Sequence, residues 1–507
     1  MEFDYIIVGG GSAGCTAAFS LARQTPGTIA VIEAGPPDND LRVKIPFALI
    51  NLLGSDRDWK RRTVAQANAG GRRIGVPRGR MIGGSGSLNS MVWFRGRVDD
   101  YDAWGLPGWS GNEVVETFAE VEKHISPARL PHPHPLAEAF GKSIPANDPL
   151  SPPTPERESS GVFHVNMRRS GRWSAADAFL RPAQQIGRVT VLTDSEVARV
   201  TFDGRRASGV VFRNGQSVKA RNAVILSAGA IESPMILFRS GIGPAADLRK
   251  TGIEVLTDAP GVGANLHDHP GFGLHHADPG SGYGLVMGQA LHWAVSPVTW
   301  ALFRSGRLAS NTVEAGAFFR VSDGDGPPEI QTHFIPFMMG WQGRTITRGE
   351  GYFADVCVCR PKSRGRLSLG RDRYDPLIDL GLLSDPSDLD LMVAGVTRLR
   401  DILDNAPLGF RRAPERFPGR DVAGEELADL IRARAGTAYH PVGTIRMGGP
   451  GAPLAPDLSV RGVESLYVAD ASVMPSITSA NTNAPSMMIG WRAGESVARA
   501  ETKRMAS

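Results

Sequence analysis

Asp4-Tyr5-Ile6-Ile7-Val8-Gly9-Gly10-Gly11-Ser12-Ala13-Gly14 is the stretch on which the fold turns. The apolar run up to Val8 reads as a buried β-strand, the glycines follow in the spacing G-x-G-x-x-G, and Cys15 to Leu21 reads as an apolar helix. The glycines serve different ends. Gly9 allows a tight turn, Gly11 lets backbone approach a pyrophosphate, and Gly14 lets the helix pack on the strand. A second strand, Ile29-Ala30-Val31-Ile32, ends in Glu33, nineteen residues after Gly14. An acid there can accept from ribose hydroxyls. Strand, loop, helix, strand and acid in this order predict a dinucleotide site.

At 507 residues the chain exceeds what one hydrophobic core usually supports, so two or more domains are expected. A net charge of +4 with scattered arginines offers no basic patch, which argues against nucleic acid. The three cysteines cannot make a disulfide framework, and Cys357 and Cys359 are expected to share one strand face as small hydrophobes. The first strand starts at residue 3 or 4, leaving no room for a signal peptide. No apolar run reaches about 18 residues, so no membrane span is predicted and a cytoplasmic location is expected.

Further strands are predicted at Arg188 to Leu192, Val197 to Phe202, Gly209 to Phe212, Arg221 to Leu226 and Ser465 to Asp470, with a last helix from about Pro485 to Arg499. Asn214-Gly215 marks a hairpin. Between roughly 271 and 434 the pattern changes. Pro328 to Ile335 and Gly365 to Leu369 alternate as antiparallel strands with one face covered, and Asp388 to Asp404 has helical periodicity. The expected fold is α/β: a discontinuous Rossmann-like nucleotide-binding domain (1–145, 185–270, 435–507) and an α+β domain on an antiparallel sheet (146–184, 271–434). Pro131-His132-Pro133-His134-Pro135 is read as a surface loop.

Three more segments are specific: Gly79-Arg80-Met81-Ile82-Gly83-Gly84-Ser85-Gly86-Ser87-Leu88-Asn89; Gly229-Ala230-Ile231-Glu232-Ser233-Pro234; and Pro260-Gly261-Val262-Gly263-Ala264-Asn265-Leu266-His267-Asp268-His269. With these, the chain resembles the glucose–methanol–choline family of FAD-dependent alcohol oxidoreductases over essentially its whole length. Tyr439-His440-Pro441-Val442-Gly443-Thr444 and Ser479-Ala480-Asn481-Thr482-Asn483 are similar to the segments carrying that family's catalytic pair.

The resemblance implies an enzyme that removes a proton and a hydride from an alcohol, with His440 as base, Asn481 holding the alkoxide oxygen, and flavin N5 taking the hydride. It places FAD against Gly9, Gly11, Ser12, Ala13, Gly14, Glu33, Ala34, Arg80, Gly83, Gly84, Ser87, Asn89, Met91, Val92, Val197, Ala228, Gly229, Asp470, Ala471, Asn481, Thr482 and Asn483. Some members bind FAD covalently through a histidine before the asparagine of the first signature; here that position is Leu88, so non-covalent FAD is expected. The His267-Asp268-His269 cluster is expected to shape a loop beside the flavin, and no metal is expected. Trp93 and Phe94 are read either as neighbours of the flavin's substrate side or as packing, and His333 either as facing the pocket or as packing.

The candidate pocket segments, Gln331 to Phe337 and Met338-Met339-Gly340-Trp341, are apolar and aromatic. They favour a neutral primary alcohol such as a pyridoxine-, furan- or benzyl-type compound over a sugar. Oxygen is the first choice of acceptor, with Ala438 a candidate contributor to its use. The alternatives are a dehydrogenase with another acceptor, acting on an aliphatic or choline-like alcohol, and a redox-silent hydroxynitrile lyase.

Overall fold

The computed structural model describes residues 1–144, 150–284, 286–338, 349–406 and 414–506. The opening strand forms at Glu2–Val8 and pairs in parallel with Ile29–Ile32 on one side and Ser217–Leu226 on the other. Val189–Leu192 extends the parallel sheet beyond Ile29–Ile32. Beyond Ser217–Leu226 two elements share one flank. The hairpin strands Arg206–Phe212 and Val197–Asp203 run antiparallel at its start, and Leu466–Val468 runs parallel at its end. The central strands are buried on both faces, which explains why they read as continuous apolar runs.

Two helices cover this sheet and fix the cofactor side. Helix α1, Ser12–Gln24, leaves the glycine loop, and the final helix α2, Asn483–Ala506, crosses it. The crossing is close because Gly490 has no side chain: a Cβ there would lie 2.2 Å from the Ala13 carbonyl oxygen. Ser20 Oγ donates to Trp491 O at 2.9 Å and locks the pair. The start of α2 therefore lies beside the start of α1.

The second sheet is antiparallel, in the order Glu415–Phe417, Pro270–Ala277, Gly351–Val358, Ile330–Ile335, Ala315–Phe319, Ser159–Val162, with Gly436–Thr437 at the start of Pro270–Ala277. Two expectations are corrected here. Ile330–Ile335 is buried along its whole length rather than on one face. The reason is that the helix Pro386–Asn405 packs against the sheet, with Gly395 close to Ile330 and Val356, while Gln331 and His333 look toward the rest of the molecule. Arg366–Leu369 does not join the sheet; it closes a two-stranded hairpin with Pro376–Asp379. Alternation marked it as a strand without specifying its partner. The expected boundary at 145/146 and the pocket residues Met339, Gly340 and Trp341 lie outside the described residues.

Candidate active site

Where the strand Glu2–Val8 meets α1, Gly9 adopts φ +105° and Gly14 packs so tightly that a Cβ on it would lie 2.0 Å from Gly9 O. This turn opens one long cavity between the two sheets. Its lining includes Gly9, Gly11, Ser12, Ala13, Glu33, Ala34, Gly84, Leu88, Asn89, Met91, Val92, Val197, Ala228, Gly229, Asp470, Ala471, Thr482 and Asn483, and also His440, Asn481, His333 and Asp355. Gly14, Arg80, Gly83 and Ser87 lie off that wall. Gly14 serves helix packing, the Arg80 guanidinium sits 5.3 Å from the Trp59 ring centroid, and Ser87 Oγ donates to Ile82 O beneath the loop. Gly83 donates its N–H to Gly10 O.

The residues present fit FAD. Ser12 Oγ donates to Asn483 Oδ1 at 2.7 Å, which leaves Asn483 Nδ2 buried at the wall with no partner and ready for an acceptor on the cofactor. Both α1 and α2 begin at this cavity, and positive helix ends favour anionic groups by about 0.3–1 kcal/mol each. The Glu33 carboxylate accepts from the N–H groups of Gly10 and Gly35, both at 2.9 Å, and burial pushes it up to about 7. Asp470 accepts from Gly229 N, Ser233 Oγ and Ser472 N, so it ties two strand ends together as it lines the cavity. Leu88, on the wall, offers no nucleophile.

The hydrogen bonds around His440 fix its tautomer. Burial, with His269, His333 and Arg78 adding to it, holds its imidazole well below the ordinary histidine range, so the ring is neutral. His269 is likewise pulled down to about 4, chiefly by burial. Its Nε2 lies 3.1 Å from Cys359 O and 3.0 Å from Thr478 O. Carbonyls only accept, so the His269 proton sits on Nε2, and its Nδ1 must accept from His440 Nδ1 at 3.0 Å. That leaves His440 Nε2 unprotonated, its lone pair accepting from Asn481 Nδ2 at 3.1 Å at the cavity wall.

Asn481 is oriented from its other side. Gln331 Nε2 donates to Asn481 Oδ1 at 3.1 Å, and His333 Nε2 lies 3.5 Å from the same oxygen. His333 Nδ1 faces Asp355 at 3.1 Å. Burial opposes a charge on His333, but the Asp355 carboxylate and its hydrogen bond outweigh it and raise the imidazole above its usual range. His333 thus faces the pocket as a proton donor, opposite a proton acceptor. Cys357 Sγ is 3.6 Å from Asp355 Oδ2, and burial pushes that thiol well up, so it stays protonated. His333, Asp355 and Cys357 form one buried cluster whose charge is balanced within the His333–Asp355 pair.

None of His267, Asp268 and His269 lies on the cavity wall itself; the segment acts from behind it. Asp268 accepts from His440 N at 2.8 Å and from Thr437 Oγ1, His269 O accepts from Ala438 N, and residues 267 and 442 pair across a bridge. His267 Nδ1 lies 2.6 Å from Asn265 O, and its Nε2 accepts from Ile477 N, so both ring nitrogens are spent on backbone. This segment is the frame that holds His440. Trp93 and Phe94 are packing residues: the Trp93 indole donates to Glu122, and Phe94 meets Phe163 and Phe318 edge-on.

Sequence reading missed Asp355; it placed Gln331 in a pocket segment and His269 in a loop beside the flavin, without their roles toward Asn481 and His440. Gln331 and Asp355 lie in strands that read only as apolar and alternating, and no spacing rule links position 333 to 355 or 269 to 440.

The family description GMC oxidoreductase matches residues 3–271 with its N-terminal part and 361–490 with its C-terminal part. The chain is 35% identical over 530 residues to the alcohol dehydrogenase [acceptor] of Pseudomonas putida, covering 98% of this chain and 96% of that protein. It is 35% identical over 532 residues to the oxygen-dependent choline dehydrogenase of Rhizobium rhizogenes, with the same coverage. Among solved structures it is similar to pyridoxine 4-oxidase from Mesorbium loti, with TM-score 0.82, 28% identity and coverage of 97% and 98% of the two chains. Among the described residues no helix is long and apolar enough to cross a membrane. On its matched segments and its full-length relatives, the chain belongs to the GMC oxidoreductase family of FAD-dependent flavoenzymes.

Proposed function

We propose that the protein oxidises a neutral primary alcohol to its aldehyde, with His440 Nε2 as the proton acceptor. The observation that carries this reading is the unprotonated Nε2 that accepts from the Asn481 amide at the cavity wall. A hydroxyl seated there takes the place of the Asn481 N–H at His440 Nε2, donating to the imidazole and accepting from Asn481 Nδ2. As the proton leaves, charge gathers on oxygen between Asn481 Nδ2 and the His333 side of the pocket. Donors already in place need no reorganisation to meet it. FAD, held non-covalently along the cavity, supplies the hydride acceptor that no side chain can provide. The five sequence segments expected from the chain then divide into a cofactor half and a substrate half.

On the strands that carry His333 and Asp355 the cavity is walled by Ile335 and Phe353, with Val313 packed beside them, and Leu49, Leu53 and Trp59 add further apolar wall. Apolar and aromatic walls suit a benzyl-, furan- or pyridoxine-type hydroxymethyl compound. A carboxylate is present, Asp355, but its charge is committed to His333, which disfavours a quaternary ammonium substrate. Oxygen is the acceptor we favour, with Ala438 on the wall. The test is anaerobic mixing of holoenzyme with benzyl alcohol, pyridoxine, an aliphatic alcohol and choline, followed by air. Bleaching of the flavin spectrum by the aromatic alcohols and its return in air are expected. An unchanged spectrum with aldehyde released from a cyanohydrin would instead establish a lyase, and reduction that persists in air a dehydrogenase.

A further inference from the structure

The helix Ala290–Phe303 is apolar on the side that faces solvent. Leu291, Val298, Leu302 and Phe303 are 73%, 57%, 70% and 72% exposed, and Met287 just before it is 89% exposed. Residues 284–303 contain no Asp, Glu, Lys or Arg. The helix is attached along the opposite edge. The Trp293 indole donates to Gly284 O and packs 5.0 Å from Phe47, Ser296 is buried, and the buried Trp300 donates to Ser170 O. Exposed and attached residues alternate at helical spacing along a helix that is apolar on both sides, so the exposed stripe runs its length and is not a frayed end.

The charges at its rim have one sign toward the C-terminal end. Arg304 follows the helix with its guanidinium 4.4 Å from the Trp300 ring centroid, and exposed Arg169 precedes the Ser170 that anchors Trp300. At the other end the acid nearby, Glu350, is held by Gly280 N–H and the Gln289 amide. The helix of 14 residues spans about 21 Å at 1.5 Å per residue, short of a hydrocarbon core of about 30 Å. Its width of roughly 10 Å gives an exposed stripe on the order of 200 Å², well below the ~800 Å² per partner of a stable protein interface.

We propose that this helix seats the protein on the surface of a bilayer carrying anionic lipid, its outer stripe in the headgroup–acyl boundary and its arginines at the phosphates. The placement also bears on the cavity. Trp293 packs on Phe47, and the following residues of that turn, Leu49 and Leu53, belong to the cavity wall. The proposed seat thus adjoins a segment of the cavity wall. The binding itself does not depend on the catalytic reading.

The test is flotation of holoenzyme with vesicles of phosphatidylcholine alone and of phosphatidylcholine mixed with phosphatidylglycerol, alongside sedimentation velocity. Wild type should float with the mixed vesicles. The double variant Leu291→Glu/Leu302→Glu should bind about tenfold less or weaker still, and Arg304→Glu severalfold less, with the Arg304 effect shrinking at high salt. All three should retain flavin, since these residues are exposed. Wild type that floats with neither vesicle, or a double variant that floats as well as wild type, overturns the proposal. So does a double variant that converts a wild-type dimer to monomer without changing lipid binding, which assigns the stripe to a second copy of the chain.

Discussion

The two ends of the cavity are built by different physics. At the Glu33 end the cradle is local: two strands, a glycine turn and one helix start, from residues 2–33, present backbone N–H groups and a helix end. At the His440 end the groups come from segments around 269, 331, 355, 440 and 481, and the side chains are aimed chiefly by one another, with His269 anchored on two backbone carbonyls. A backbone cradle tolerates changes in most side chains but not an added Cβ. A side-chain relay has the opposite sensitivity.

Substitutions at each end should separate the two cleanly. The largest effect is expected at the relay: His440→Ala removes the proton acceptor and should cut turnover by roughly 10²–10⁴-fold while flavin content stays at one per chain. Stopped-flow flavin reduction together with the visible spectrum of the purified protein reads both. Gly14→Ala should do the reverse. Its new methyl would meet Gly9 O, so purified protein should carry little or no flavin, while the fraction that does hold flavin turns over near the wild-type rate. Near-normal flavin in that variant would mean that the cradle is softer than its geometry indicates.

His269 separates positioning from catalysis. It lies off the cavity wall and acts only through His440 Nδ1. His269→Leu frees the His440 proton to occupy either nitrogen, so flavin reduction should slow by about 10–100-fold, the usual cost of losing the partner that orients a reacting imidazole. His269→Asn can offer an acceptor near the lost Nδ1 and should recover part of that rate. If Leu and Asn behave alike while flavin and fold are intact, the tautomer argument fails.

This contrast also explains what could be read from sequence. The parallel half was legible because each element carries its own signal: apolar runs at 5–8 and 223–226, glycines at fixed spacing, and an acid at a strand end. His440 and Asn481 were found through motif resemblance, since periodicity alone says nothing about a histidine beside a proline. Asp355 escaped because a carboxylate inside the run Ala354-Asp355-Val356-Cys357 reads as an alternating strand position, and only the pairing of Gly351–Val358 with Ile330–Ile335 brings it under His333. The pattern at 366–369 gave a strand but not its neighbour, because register and partner are settled by contacts distant in sequence.

The smallest expected effect is also the most diagnostic of the relay. Burial holds the His440 imidazole below the ordinary histidine range and Asp355 raises His333 above it, so the state that can accept a proton at one wall and donate at the other lies between the two titrations. The acid limb of kcat/KM, where His440 takes a proton in the free enzyme, should fall below the ordinary histidine value of 6.5. The alkaline limb, where His333 loses its proton, should lie above 6.5. Asp355→Asn removes the charge that keeps His333 protonated, leaving burial as the dominant influence. The alkaline limb should then move to lower pH with a severalfold loss at neutral pH, while the acid limb stays or shifts slightly. Steady-state rates across pH for wild type and variant measure both limbs. A variant whose alkaline limb does not move would show that the charge on His333 plays no part in the step, and that the relay ends at Asn481.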